Sequence, residues 1–221
     1  YDITTDSWSE ELCGILGLNV SGLPKVLFPN EITGNLLREA AMDMGLITGI
    51  PVAVGSGDSV VEAFGSGIRK VGQGIIKLGT AVNVNLITSE PRPSLKTITY
   101  PYLLENQWFS IAATNSGTAT LKWFHDVFCK WEIAFAQKHG LDDYDLITEN
   151  AAEAPMGCEG LLFHPYLMGE RTPYWDPNLR ADFLGISSHH RFAHFTRAIL
   201  EGVAFSIRDC YSTIESLGEL I

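Results

Sequence analysis

Two neighbouring stretches decide how this chain folds: PVAVGSGDSVVEAFG at residues 51–65 and GIIKLGTAVNVNLIT at residues 74–88. In the first, Pro51 to Val54 reads as a short apolar strand after a turn. It runs into Gly55-Ser56-Gly57-Asp58, and residues 59 to 66 read as the helix that follows. In the second, the β-rich runs Gly74 to Leu78 and Val82 to Thr88 are hinged at Gly79-Thr80. A strand–turn–helix unit followed by a hairpin, in a chain that keeps interleaving strands with helices, predicts an α/β fold. The stretch around residues 66 to 73, with a turn at Arg69 and Lys70, is the natural seam.

Working outward, residues 8 to 17 read as a short helix. Thr33 is placed to cap a helix from Gly34 to Met44, closed by Gly45. Pro91-Arg92-Pro93 marks an exposed loop, and Trp108 to Thr114 a strand. Leu121, Phe124, Val127 and Phe128 fall on one face of a long helix predicted from Thr118 to His139. A helix near Tyr144 to Glu153, a buried strand at Leu161 to Phe163 and a Gly- and Pro-punctuated loop from Pro165 to Asp182 come next. From Arg197 to Ile221 apolar residues recur at three- and four-residue steps, as in an amphipathic helix with no clear stop. Because Tyr1 is not a start methionine either, the chain reads as a piece of a larger protein, with a processed mature terminus as the alternative.

Composition narrows the function classes. Over 221 residues, 46% are apolar and 19% charged, a globular balance that excludes disorder and low complexity. Fifteen Lys and Arg against 26 Asp and Glu leave a net charge of −11, a poor match to the dense negative charge of nucleic acid. No apolar stretch approaches the roughly 20 residues that span a bilayer, so no membrane partner is expected. Cys13, Cys129, Cys158 and Cys210 lie far apart with no C-x-x-C pair, which predicts reduced, mostly buried thiols and fits a cytoplasmic location. There is no basic n-region followed by an apolar h-region, so no signal peptide is visible.

Three segments carry candidate chemistry. Asp58 follows small residues at a strand tip, where a ligand can approach a carboxylate closely; it suits a general base for a substrate hydroxyl, and equally a helix N-cap. Gly79-Thr80 offers backbone amides and a hydroxyl to phosphate oxygens, or is simply a hairpin turn. The loop from Gly169 to Pro177 crowds Glu170, Arg171, Tyr174, Trp175 and Asp176 between prolines. It suits sugar hydroxyls, an internal ion-pair lock, or a glycosidase pair of Glu170 and Asp176, although neighbours in sequence rarely supply such a pair. His189, His190 and His194 lack a third metal ligand at a telling distance and read as cap and surface residues, so no metal centre is expected. Walker A and G-x-G-x-x-G patterns are absent.

Together these segments resemble the FGGY carbohydrate kinases, the family of glycerol, xylulose, ribulose and gluconate kinases. The family's C-terminal signature stands as Ala181-Asp182-Phe183-Leu184-Gly185-Ile186, seven residues, then His194-Phe195-Thr196-Arg197-Ala198-Ile199-Leu200-Glu201. Asp58 falls where the family carries its catalytic aspartate, Gly79-Thr80 where its phosphate turn opens the second domain. The Gly169-Glu170-Arg171-Thr172-Pro173 loop is similar to that of the xylulose and gluconate branches. The resemblance covers nearly the whole chain. It implies an actin-like, ribonuclease-H-like ATPase fold, with residues 1–68 the tail of the N-terminal, sugar-binding domain and 69–221 most of the C-terminal, nucleotide-binding domain. The N-terminal phosphate loop and the Gly-rich adenosine motif would lie beyond Tyr1 and Ile221.

The resemblance further implies phosphorylation of a sugar, with D-xylulose favoured over gluconate, ribulose or another polyol, by ATP and Mg²⁺. Asp58 would act as base, with Ser59 beside it on the substrate, and Gly79 and Thr80 on the ATP phosphates. Gly117 and Lys122 sit near the family's nucleotide-contacting turn, offset by one residue from the glycerol kinase pattern. Glu170 and Arg171 would brace the structure or line a domain interface. Two departures stand out. Ala81 replaces a serine that many members carry, and Ser59 replaces the glutamine of glycerol kinases, which argues against glycerol. A homodimer is a partner arrangement that family members often adopt. A non-catalytic sugar or nucleotide sensor on the same fold is the competing reading, and half of each ligand site predicts that the 221-residue piece is inactive alone.

Overall fold

The computed structural model describes residues 1–218. The chain divides into two compact units, each drawn from several segments: Tyr1–Gln73, Ile87–Arg92 and Thr99–Phe109 in one, Gly74–Leu86, Pro93–Ile98 and the chain from Ser110 onward in the other.

The first unit opens with helix α1 (Glu10–Ile15), whose Ser9 cap accepts the Leu12 N–H. Residues 32–35 are a strand, β1 (Ile32–Asn35), rather than the start of a helix. It pairs antiparallel with β2 (Pro51–Ala53), so Gly34 sits opposite Val52. Thr33 therefore does not cap a helix. Gly34 and Asn35 are poor helix formers, and the pairing with β2 wins them. The helix that follows, α2 (Arg38–Met44), does end on Gly45 in the left-handed conformation, as expected. Helix α3 (Asp58–Gly65) buries Val60 and Ala63.

Four strands form one sheet in the order β3-β4-β6-β5: β3 (Gly74–Leu78), β4 (Val82–Thr88), β5 (Ile98–Pro101) and β6 (Trp108–Thr114). Position in the sheet explains composition. The central strands β4 and β6 are buried almost throughout and read as continuous runs, whereas edge strand β3 alternates between exposed and half-buried residues. Strand β5, which the sequence reading missed, is short and carries a proline at its end, as an edge tolerates.

In the second unit the helix expected over 118–139 is two helices, α4 (Thr118–Phe128) and α5 (Lys130–His139). Between them Cys129, fully buried, leaves helical geometry at φ −95°, ψ 39°. The apolar positions that suggested one long helix, Leu121, Phe124, Val127 and Phe128, all lie in α4, before the break. Helix α6 (Asp143–Ala152) is capped by Asp142, which accepts the Tyr144 and Asp145 N–H groups. Strand β7 (Leu162–His164) pairs antiparallel with β8 (Asp182–Leu184), a partner not anticipated. The last helix, α7 (Phe192–Glu215), starts five residues earlier than expected. The predicted run to Ile221 stops at Glu215, and its last three positions, 219–221, lie outside the described residues. His190 and His194 are caps: their Nδ1 atoms accept the Ser187 and Arg191 N–H groups.

One core joins Phe124, Cys129, Ile147, Cys158, Leu161, Phe163, Ala198 and Ile199. A second sets Val84, Leu86 and Ala112 of the sheet against Cys210 and Ile214 of α7. All four cysteines are free and buried. Among the described residues no helix is long and apolar enough to cross a membrane.

Helix α4 is clipped to α6 by His125, whose Nδ1 lies 2.7 Å from Asp126 and Nε2 3.1 Å from Asp143, with its ring stacked on Tyr144. Burial opposes charge on the ring, but the two carboxylates outweigh it and raise the His125 pKa. A raised folded pKa contributes stability that is fully present below the unfolded value, about 6.5, and is lost as pH rises through the folded one. The melting temperature of the protein is therefore expected to fall relative to that of His125→Gln as pH is taken from about 6 to about 9. Parallel melting curves across that range would show that the clip carries no charge.

Candidate active site

In the first unit the chain leaves β2 along a path held by backbone hydrogen bonds, Val54 N–H to Glu31 O at 3.0 Å and Gly55 N–H to Pro29 O at 2.9 Å. Gly55 then turns at φ 76°, a conformation a side chain disfavours. Gly57, not Asp58, is the cap of α3: its carbonyl accepts the Val60 and Val61 N–H groups at 3.1 Å. Asp58 is the first helical residue. Its Oδ1 accepts the Ser59 N–H at 2.6 Å, and the side chain is exposed. The amide dipoles at a helix start favour a carboxylate there. With Val60 and Ala63 anchoring the helix, the result is a fixed, solvent-facing carboxylate beside half-buried Ser59.

In the second unit β3 and β4 pair up to Leu78 opposite Val82, leaving Gly79-Thr80-Ala81 as the loop. The Gly79 N–H donates to Ala81 O at 3.1 Å, inside the loop, while Thr80 is exposed. Of the two residues expected on phosphate, Thr80 is the one that faces outward. The start of α4 rests on this loop: Thr118 N–H donates to Gly79 O at 2.9 Å and Ala119 N–H to Thr80 O at 3.4 Å. Gly117 makes the contact possible, because a Cβ there would lie 2.3 Å from Gly79 O and 2.6 Å from Thr80 O. Lys122, one turn further on, is exposed and paired with Asp126 at 2.8 Å. That carboxylate raises the lysine pKa.

Behind the loop stands Glu170, 3% exposed. Its Oε1 accepts the backbone N–H groups of Asn115 at 2.8 Å and Arg171 at 2.7 Å. Its Oε2 accepts hydroxyls from Thr114 at 2.5 Å, Ser116 at 3.1 Å and Ser206 at 3.3 Å. The Arg171 guanidinium turns instead to Thr114 O at 3.4 Å. Glu170 and Asp176 do form a pair, but through their backbones: each N–H donates to the other's carbonyl. A buried carboxylate held by two backbone amides and the Thr114 hydroxyl, with two more hydroxyls against it, cannot serve a glycoside, so the two-carboxylate hydrolase reading falls. The sequence reading missed Thr114, Ser116 and Ser206. The run of small polar residues from Thr114 to Thr118, just where a strand turns into a helix, was the available signal.

Residues 74–221 match the C-terminal domain of the FGGY family of carbohydrate kinases, and residues 1–65 match its N-terminal domain. The gluconokinase of Bacillus subtilis (strain 168) is 34% identical over 201 residues, 90% of this chain and 39% of that protein. The xylulose kinase of Lactococcus lactis subsp. lactis (strain IL1403) is 33% identical over 217 residues, 97% of this chain and 41% of that one. Among solved structures, a ligand-bound xylulose kinase and a gluconate kinase, both from Lactobacillus acidophilus, superpose with TM-scores of 0.85 at 25% identity. Each superposition covers 96% of this chain and 42% of the other. The chain thus spans about two fifths of the length of the curated relatives it matches.

Proposed function

Because this chain belongs to the FGGY family of carbohydrate kinases, we propose that it serves the transfer of the γ-phosphoryl group of ATP to a sugar hydroxyl. Residues 1–68 would belong to the sugar-binding domain and 69–221 to the nucleotide-binding domain. The observation that carries the reading is Asp58, an exposed carboxylate fixed at a helix start by the Ser59 N–H. Phosphoryl transfer asks the protein mainly for position and charge, and a fixed base next to the attacking hydroxyl meets the first need. Asp58 accepts the proton of the sugar hydroxyl as its oxygen attacks, and Ser59 contacts the sugar. The exposed Thr80 hydroxyl donates to a phosphate oxygen, on a turn held by the start of α4. Gly117 and Lys122 stand on the nucleotide side.

Among the described residues no group of three or more His, Cys, Asp or Glu is arranged to hold a metal ion. Mg²⁺ keeps its waters and would arrive on substrate phosphates rather than in a protein cage. Bound on the phosphates, such an ion would neutralise their charge during transfer. We favour D-xylulose as acceptor. Gluconate is the second reading, on the strength of a 34% identical relative named gluconokinase.

The test is ADP release from Mg-ATP by the full protein, screened with D-xylulose, gluconate, ribulose and glycerol. ADP release with D-xylulose or gluconate, and not with glycerol, is the expected result. The 221-residue piece alone should stay silent with every sugar. Sugar binding by the full protein without any ADP release would point to a sensor instead.

A further inference from the structure

Glu170 is a buried carboxylate that no part of the proposed transfer uses, and its side chain is held by neutral donors rather than by a cation's salt bridge. Such a group is costly to desolvate and persists only when its lone pairs are filled. Here they are filled from three places in the fold: the end of β6 through Thr114, the turn after it through Asn115 and Ser116, and the middle of α7 through Ser206. The Ser116 hydroxyl also reaches Pro165 O at 2.9 Å, and the Ser116 N–H donates to the Thr114 hydroxyl at 2.9 Å. Residues 114–116 are thereby tied down on several sides. Gly117 is the next residue, and it seats α4 on the Gly79–Ala81 loop.

We propose that Glu170 is a positioning residue for phosphoryl transfer: its carboxylate fixes the 114–116 turn and, through Gly117 and the start of α4, the placement of Thr80. This rests on the kinase reading of the same loop. Two lone-pair-rich oxygens are what the task requires. Oε1 serves two backbone amides that have no freedom to turn, and Oε2 serves three hydroxyls that do. In Glu170→Gln the amide oxygen still takes the two backbone N–H groups. The new NH₂ faces hydroxyls that can rotate to accept, so the fold has a way to persist. What is lost is the short, charge-assisted grip on Thr114 and Ser116, so the turn relaxes by fractions of an ångström.

A misplacement of about 1 Å at a transfer site costs on the order of 100-fold in rate, so Glu170→Gln in the full protein is expected to lower kcat by about 10- to 100-fold. The KM for the sugar should stay close to that of the unchanged protein, because the group that receives the proton is not involved. An unchanged kcat, or an intact kcat with a raised sugar KM, overturns the proposal. If Glu170→Gln does not fold, Ser206→Ala decides. It removes the hydroxyl that donates to Thr114 Oγ1 at 2.8 Å and lies 3.3 Å from Glu170 Oε2, and should lower kcat with the far-UV circular dichroism and melting temperature retained. Turnover at the unchanged level in that variant overturns the proposal equally. The unchanged protein is assayed in parallel. If it releases no sugar-dependent ADP while both variants fold, the kinase reading has failed, and with it the role assigned to Glu170. A defect seen in the variants alone speaks to Glu170.

Discussion

Asp58→Asn is expected to reduce sugar-dependent ADP release by about 10²- to 10⁴-fold, the usual contribution of a positioned general base. The substitution is nearly isosteric. The amide oxygen that replaces the carboxylate Oδ1 can still accept the Ser59 N–H, now held at 2.6 Å, and Gly57 remains the cap of α3, so the helix start should be undisturbed. Burial of Val60 and Ala63, which anchors the helix, does not depend on the charge. What disappears is the ability to take a proton from the attacking hydroxyl. Sugar binding, measured by calorimetry, should therefore survive while turnover collapses. Turnover close to that of the unchanged protein would remove Asp58 from the reaction and favour the sensor reading.

Gly117→Ala should have the largest structural effect of any single-carbon addition near the Gly79–Ala81 loop. The added Cβ meets two carbonyl oxygens at 2.3 and 2.6 Å and the Ala81 carbonyl carbon at 3.0 Å. All three are backbone atoms, which cannot rotate away as a side-chain tip could. Either α4 lifts off the loop, losing the hydrogen bonds from Thr118 and Ala119, or the loop moves and takes Thr80 with it. Overpacking of this kind costs about 1–3 kcal/mol and occasionally more. Urea denaturation followed by circular dichroism should show the midpoint falling, and ATP-dependent turnover should be lost even where the protein remains folded. A variant with an unaltered midpoint and unaltered turnover would mean that the loop is looser than its contacts imply.

Much of this was legible in the residues. The Gly79-Thr80 hinge between two β-rich runs became the β3–β4 loop, and the FGGY resemblance rests on segments that the family match covers. The failures share a physical cause, which is partners distant in sequence. Strand β1 is a strand because β2 pairs with it, and residues 34 and 35 carry no local sign of that. The break at Cys129 falls where that residue is buried in a core built from α4, α6, β7 and α7, and the apolar positions that suggested one long helix all lie before it. Glu170 is visible as part of a crowded loop, which reads as bracing or as a domain interface. Its contacts with Thr114, Ser116 and Ser206 reach across 36 to 56 residues, beyond any pattern a linear reading can register.

The four buried thiols have a practical consequence. A thiol attacks alkylating reagents and oxidants as its anion, and burial above all pushes that ionisation up, to about 11 for Cys129 and Cys158 and about 12 for Cys210. In the closed fold these three sulfurs are shielded twice, by access and by protonation, so chemical capture waits on opening. The cysteines are also spread through the molecule: Cys13 in the first unit, Cys129 and Cys158 in the helical core, Cys210 where α7 covers the sheet. Each is therefore a built-in clock for a different region, and the order in which they become modified would trace where the structure breathes first.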